Sequence, residues 1–267
     1  VPLVPCMKCE DCQKGNYSLC KHYSFIGSRE FGSFAEYVSM PERCVVKFDD
    51  SVSFEMGAFF EPATVALHGL RRLDYKGGKT VAILGGGTIG MLTMQWAKIY
   101  GARQVVVFDI VQERLELAKR LGADAVVDSG REDYTEQVKE LTEGRGFDYI
   151  YETAGNTVTM KMAFKLAANK AQVCFIGTPT RELSFSVEEW ENINRKEFAL
   201  TGSWMSYSAP FPGEEWKLAA HFFRTGELKF DDSFIYRKIP LSRIDEAFEM
   251  YKTPGVVKGK ILIDSEA

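Results

Sequence analysis

Thr80-Val81-Ala82-Ile83-Leu84-Gly85-Gly86-Gly87-Thr88-Ile89-Gly90 decides the fold of this chain. Val81–Leu84 is a short continuous apolar run, as expected of a strand buried on both faces. A G-x-G-x-x-G turn follows at once, and a helical pattern runs from Ile89 to Tyr100. Gly85 permits the tight turn. Gly87 lets the backbone approach a pyrophosphate, and Gly90 lets the helix pack closely on the strand. The helix opened by Thr88 and Ile89 offers N–H groups and a favourable dipole to an anion.

Further along the chain the pattern repeats. Gln104–Phe108, Ala125–Val127, Tyr149–Tyr151, Gln172–Ile176 and Phe198–Thr201 read as strands. Gln112–Leu121, Tyr134–Thr142, Thr159–Ala167 and Val187–Asn194 read as helices between them. Alternating strands and helices imply parallel pairing and a sheet covered on both faces. Six strands in this order predict a doubly wound α/β sheet of the dinucleotide-binding kind. Asp109 stands 19 residues after Gly90, where a carboxylate accepts both ribose hydroxyls and repels a 2′-phosphate. That favours NAD over NADP. Arg114 either reaches over the adenosine or lies on a solvated helix face.

Four of the six cysteines, Cys6, Cys9, Cys12 and Cys20, crowd the first 20 residues as C-x2-C-x2-C-x7-C. A disulfide framework would spread its cysteines to staple distant segments. Crowding suits one structural zinc, four thiolates leaving no open position on the ion. An iron–sulfur cluster is the rival, but the last gap and the Lys after Cys20 differ from its bacterial spacing. Cys44 and Cys174 read as small buried hydrophobes. Reduced thiols and an opening without a signal peptide point to the cytoplasm.

The 267 residues are 45% hydrophobic and 26% charged, with a net charge of −4. This is enough apolar material for one or two folded domains. The acidic balance argues against nucleic acid or an anionic membrane surface as partner, and no apolar run approaches the length of a membrane span.

The four-cysteine lobe, Gly32-Ser33-Phe34-Ala35-Glu36-Tyr37-Val38, Glu61-Pro62 before a helix, and GGGTIG with Asp109 together resemble the zinc-containing medium-chain dehydrogenase/reductase family. Glu61-Pro62 is similar to its polyol and threonine dehydrogenase branch. Ile26–Arg29 and the stretch from Gly202 to Trp216 resemble members of that branch that act on a polyol phosphate. The resemblance implies a six-stranded Rossmann domain over 63–205. It also implies a mainly β, GroES-like catalytic domain made of 1–62 and 206–267. The implied activity is NAD-linked, zinc-dependent oxidation of a secondary alcohol of a polyol or polyol phosphate to the ketone. Sorbitol, a diol or threonine fits the same chemistry. The implied assembly is a homodimer or homotetramer.

Glu61 is implied at a catalytic zinc. From the residues alone it serves equally as a helix N-terminal acid before Pro62. The branch's other zinc ligands precede the cysteine lobe, and none of His22, His68 and His221 has their context. The start VPLVPC therefore reads as a catalytic domain lacking its first segment. The companion reading is a chain that binds NAD and structural zinc but catalyses nothing. Strand ends supply the remaining candidates. Thr153, Ile176 and Gly177 are expected to line the cofactor, and Thr64 to touch the nicotinamide or a phosphate. Ser203 and Tyr207 border the substrate, and Arg29 is placed for a substrate phosphate or is a plain surface charge.

Overall fold

The computed structural model describes residues 1–253 and 255–265. The expected last segment, 206–267, includes Pro254, Glu266 and Ala267, which lie outside the described residues. The chain divides into two compact units, Val1–Glu61 with Ser206–Ala267, and Pro62–Met205.

The first unit opens with β1 (Leu3–Val4), α1 (Glu10–Gln13) and β2 (Ser24–Phe25), the two strands pairing antiparallel. After an extended stretch come α2 (Phe54–Ala58), capped by the Ser53 side chain, and the start of α3 (Phe60–Arg71). Pro62 and the rest of α3 belong to the second unit.

That unit contains β3 (Thr80–Leu84), α4 (Thr88–Ile99), β4 (Gln104–Asp109), α5 (Gln112–Leu121), β5 (Ala125–Asp128), α6 (Tyr134–Thr142), β6 (Phe147–Glu152), α7 (Thr157–Leu166), β7 (Ala167–Phe175), α8 (Val187–Lys196) and β8 (Ala199–Gly202). All six strands are parallel, in the order β5-β4-β3-β6-β7-β8. Counted along the six, this is the doubly wound 3-2-1-4-5-6 order, with the reversal between β3 and β6. β3 is buried along its whole length, as its unbroken apolar run requires.

On one face of the sheet, Val106, Phe108, Phe147, Ile150, Phe164 and Val173 form a continuous core. Truncating one such side chain costs about 2–5 kcal/mol, through lost transfer energy and the cavity left behind. α4 buries eight of its twelve residues. Its Trp96 donates from the indole nitrogen to the Ala63 carbonyl at 2.9 Å, tying α4 to α3.

Several element bounds differ from expectation. α7 begins at Thr157 rather than Thr159, because the Asn156 side chain caps it by accepting from the Val158 amide at 2.8 Å. It ends at Leu166, so Ala167 opens a strand instead of closing a helix. β7 thus begins five residues before Gln172. Its first part bulges between the Phe147–Ala167 and Tyr149–Gln172 pairs. The bulge carries the polar residues Asn169 and Lys170, which show no strand periodicity. β6 starts at Phe147, its Asp148 carboxylate accepting from both the amide and hydroxyl of Thr80.

The chain then returns to the first unit with α9 (Glu214–Thr225), β9 (Ile235–Pro240), α10 (Ile244–Lys252) and β10 (Lys260–Asp264), β9 and β10 pairing in parallel. An aromatic cluster joins the two parts of this unit. Phe59 packs on Phe230 and Phe234, and Phe60 on Phe48 and Phe223, with ring centroids 5.0–5.7 Å apart. No helix among the described residues is long and apolar enough to cross a membrane.

Candidate functional site

The glycine turn sits at the carboxyl end of β3, beside the strand reversal. Gly85 has φ +106°, a region only glycine enters freely. A Cβ on Gly90 would stand 1.8 Å from the Gly85 carbonyl oxygen, so helix and turn touch backbone to backbone. Around Gly87 the opposite holds. Among the described residues no atom would lie within 4 Å of a Cβ there. Gly87 is also the N-cap of α4, and no side chain bonds to the first-turn amides. Thr88 and Ile89 are half-buried in this turn. Open space in front of an uncapped helix N-terminus fits a pyrophosphate.

Asp109 ends β4 and is only 7% exposed. One carboxylate oxygen accepts from the Gly86 amide at 2.7 Å, the other from Ile110 and Val111 at 2.8 and 2.9 Å. The glycine turn therefore fixes the acid in place. Arg114 lies 3.5 Å from the same carboxylate, pairing with it rather than lying on a plain solvated face.

Across the reversal, the Thr153 hydroxyl donates to the carbonyls of Leu84 and Gly85 at 3.1 and 3.0 Å. Ile176 and Gly177 donate their amides to the Glu152 carbonyl. The structure thus gathers Gly85, Gly87, Gly90, Asp109, Arg114, Thr153, Ile176 and Gly177 around the carboxyl ends of β3, β4, β6 and β7. Thr64 is fully buried on α3. Ser203 follows β8 with its hydroxyl buried and, among the described residues, without a hydrogen-bond partner. The donor set and open cradle of this unit fit a dinucleotide.

In the first unit, the sulfurs of Cys6, Cys9, Cys12 and Cys20 all lie within 4.8 Å of one another. The Cys6–Cys12 and Cys9–Cys20 pairs are 4.0 and 3.8 Å apart. Sulfurs at the corners of a tetrahedron about 2.3 Å from a central zinc stand about 3.8 Å apart, so the four residues fit the ion. The amides of Lys8 and Cys9 pull the Cys6 thiol down to about 6, while burial pushes Cys12 up to about 12.

Ser18, just before Cys20, accepts from the Tyr207 amide at 3.1 Å and donates to its carbonyl at 3.5 Å. Tyr17 packs edge-on against Phe211, and Tyr207 stacks on Phe211 and Trp216. The lobe thereby holds Tyr207, whose hydroxyl is buried beside the Leu3 backbone and makes no hydrogen bond of ordinary geometry among the described residues. Burial and, secondly, the Glu61 carboxylate raise that phenol's pKa. Glu61 is exposed to solvent. Desolvation raises its carboxyl above the usual range, against the opposing pull of Lys260.

Ser203 and Tyr207, expected together at the substrate, fall in different units. Arg29 donates to the Tyr23 carbonyl at 2.6 Å and lies 3.9 Å over its ring. Apart from the four cysteines, no group of three or more His, Cys, Asp or Glu side chains converges among the described residues. The residues present therefore do not fit a second, catalytic zinc, and no step through one is derived. Cys44 and Cys174 are fully buried, as hydrophobes are.

Two residues central to this arrangement were not anticipated. Ser18 carries no sequence signal. Glu152 does, as an acid ending the otherwise apolar-rich β6, where a charge needs a local partner.

A twofold-wound sheet with a pyrophosphate turn and a four-thiolate lobe defines a zinc-bearing dinucleotide oxidoreductase. Comparison with known proteins agrees. Residues 88–223 match the zinc-binding dehydrogenase family and residues 1–50 the alcohol dehydrogenase GroES-like domain. The chain belongs to this family of oxidoreductases, which use zinc and NAD(P). It is 39% identical to galactitol 1-phosphate 5-dehydrogenase of Escherichia coli (strain K12) over 237 residues, 89% of this chain and 68% of that protein. The crystal structure of galactitol-1-phosphate dehydrogenase from Escherichia coli matches with a TM-score of 0.90 and 36% identity, over 99% of this chain and 76% of that one. A Sinorhizobium meliloti 1021 protein described as a zinc-binding dehydrogenase, solved with NADP, matches with a TM-score of 0.84 and 31% identity, over 98% of this chain and 74% of that one.

Proposed function

We propose that this chain takes part in NAD-linked oxidation of a secondary alcohol of a polyol phosphate, of the galactitol 1-phosphate kind, to the ketone. The observation that carries the cofactor half is the open cradle at Gly87 beside the immobilised Asp109. Likeness to galactitol 1-phosphate 5-dehydrogenase supports the substrate half. Bound nicotinamide supplies the acceptor for the hydride that leaves the carbinol carbon, and the hydroxyl proton is released. Asp109 orients the ribose and, as an anion, disfavours the 2′-phosphate of NADP. We assign Pro62–Met205 to the cofactor and the other unit to the substrate. There the Glu61 carboxyl and Tyr207 phenol hold or move a proton at the substrate hydroxyl.

The proposed setting is the cytoplasm. The proposed assembly is a homodimer or homotetramer joined along β8, which among the described residues pairs only with β7. Light scattering on the purified protein tests the assembly. Titration with NAD and a panel of galactitol 1-phosphate, sorbitol and threonine, followed by NADH absorbance, tests the reaction. The expected result is NADH formation strongest with the phosphate. Folded protein that binds no dinucleotide refutes the proposal. One observation favours a second reading, a chain that binds NAD and structural zinc without turnover: a single ligand cluster among the described residues. Turnover separates the two: NADH formed with any of these alcohols supports the first reading, and NAD binding without NADH formation supports the second.

A further inference from the structure

We propose that Glu152 is a positioning residue for the nicotinamide half of the dinucleotide site, an inference that rests on the cofactor reading above. Glu152 is the last residue of β6 and is fully buried, immediately beyond the strand reversal. A dinucleotide lying across the reversal places its two halves on opposite sides of it. Asp109 on β4 marks the adenosine side. The loops after β6 and β7 then serve the other half, and both are built on Glu152.

Its carboxylate accepts from the Ala154 amide at 3.0 Å and from the Thr159 hydroxyl at 2.7 Å. The Gly155 amide reaches both oxygens, at 3.0 and 3.2 Å. Its main-chain carbonyl accepts from Ile176 and Gly177 at 2.9 and 3.0 Å. A Cβ on Gly177 would stand 2.2 Å from the Gly155 nitrogen and 2.6 Å from a Glu152 carboxylate oxygen, so the second loop lies directly on the first and on the acid. The Glu152 side chain therefore holds the first loop by hydrogen bonds, while its main-chain carbonyl and the packing of Gly177 on the carboxylate seat the second loop on the first. Burial raises the pKa of this carboxyl, and the hydrogen bonds from Thr159, Gly155 and Ala154 oppose that by favouring an acceptor with two oxygens. Glutamine would turn an NH2 group towards those donors.

Glu152→Gln in the full chain is tested by titration with NADH and with ADP-ribose, which lacks the nicotinamide. The expected result is about tenfold weaker NADH binding, or ~1.4 kcal/mol, with ADP-ribose affinity unchanged. Thr159→Val, which removes one donor to the same carboxylate, shifts NADH binding in the same direction, and Thr159→Ser restores it. Equal weakening of both ligands, or weakening of neither, overturns the proposal while leaving the cofactor reading intact. If Glu152→Gln does not fold, unchanged NADH affinity in Thr159→Val overturns it. Wild-type protein that binds neither ligand overturns the cofactor reading itself.

Discussion

Gly87 and Gly90 lie three residues apart in one turn, yet alanine should act on them in opposite ways. At Gly90 the new Cβ would meet the Gly85 oxygen at 1.8 Å. An ordinary C···O approach is about 3.3 Å, so α4 and the turn must part by about 1.5 Å. Overpacking of this kind costs about 1–3 kcal/mol, a fall in Tm of roughly 3–10 °C. At Gly87 the backbone has φ −76° and ψ −176°, ordinary for any residue, and the Cβ enters open space. Gly87→Ala should therefore leave Tm unchanged or slightly raised, because the unfolded chain loses freedom. The methyl group fills the space we assign to the pyrophosphate and displaces it from one or two backbone donors. At about 1.5–3 kcal/mol for a hydrogen bond to a charged group, NADH binding should weaken roughly 10- to 100-fold. Calorimetric melting and fluorescence titration of NADH on both variants provide the assay. Wild-type NADH affinity in a Gly87→Ala protein of unchanged Tm would refute the pyrophosphate assignment.

Cys20→Ser should lower bound zinc from one ion per chain towards none and strip hydrogen-exchange protection from residues 6–20, while NADH binding persists. A full equivalent of zinc in that variant would count against the four-thiolate site. Asp109→Asn removes the charge that disfavours a 2′-phosphate and should move the NADPH-to-NADH affinity ratio about tenfold towards NADPH, read by paired titrations. Tyr207→Phe deletes a buried hydroxyl that makes no hydrogen bond of ordinary geometry among the described residues. Since such a group carries a desolvation cost of about 1–3 kcal/mol, Tm should hold or rise while KM for the polyol phosphate increases; a lower Tm argues that the hydroxyl is a structural donor.

The nucleotide unit was legible because its central strands are buried on both faces. Val81–Leu84 and Val105–Phe108 must then be unbroken apolar runs, and glycine punctuates the turn between strand and helix. The first part of β7 was not legible, since its bulge places Asn169 and Lys170 in solvent and erases the apolar signal. Among site residues, the cysteines and glycines announced themselves through spacing, which the ion and the pyrophosphate impose. Glu152 and Ser18 did not. Each acts through contacts with backbone groups whose positions follow from the tertiary fold. Arg29 is exposed and stacked on Tyr23, a placement compatible with either a phosphate contact or a plain surface charge.

The hydrogen bonds between Ser18 and Tyr207 join residues 189 apart in the chain. At about 5–20 residues per second of synthesis, Tyr207 emerges roughly 10–40 s after Ser18. The whole of Pro62–Met205 is made in that interval. The cysteine lobe can gather its metal early, but its aromatic partners Tyr207 and Phe211 arrive only after the parallel sheet has been translated.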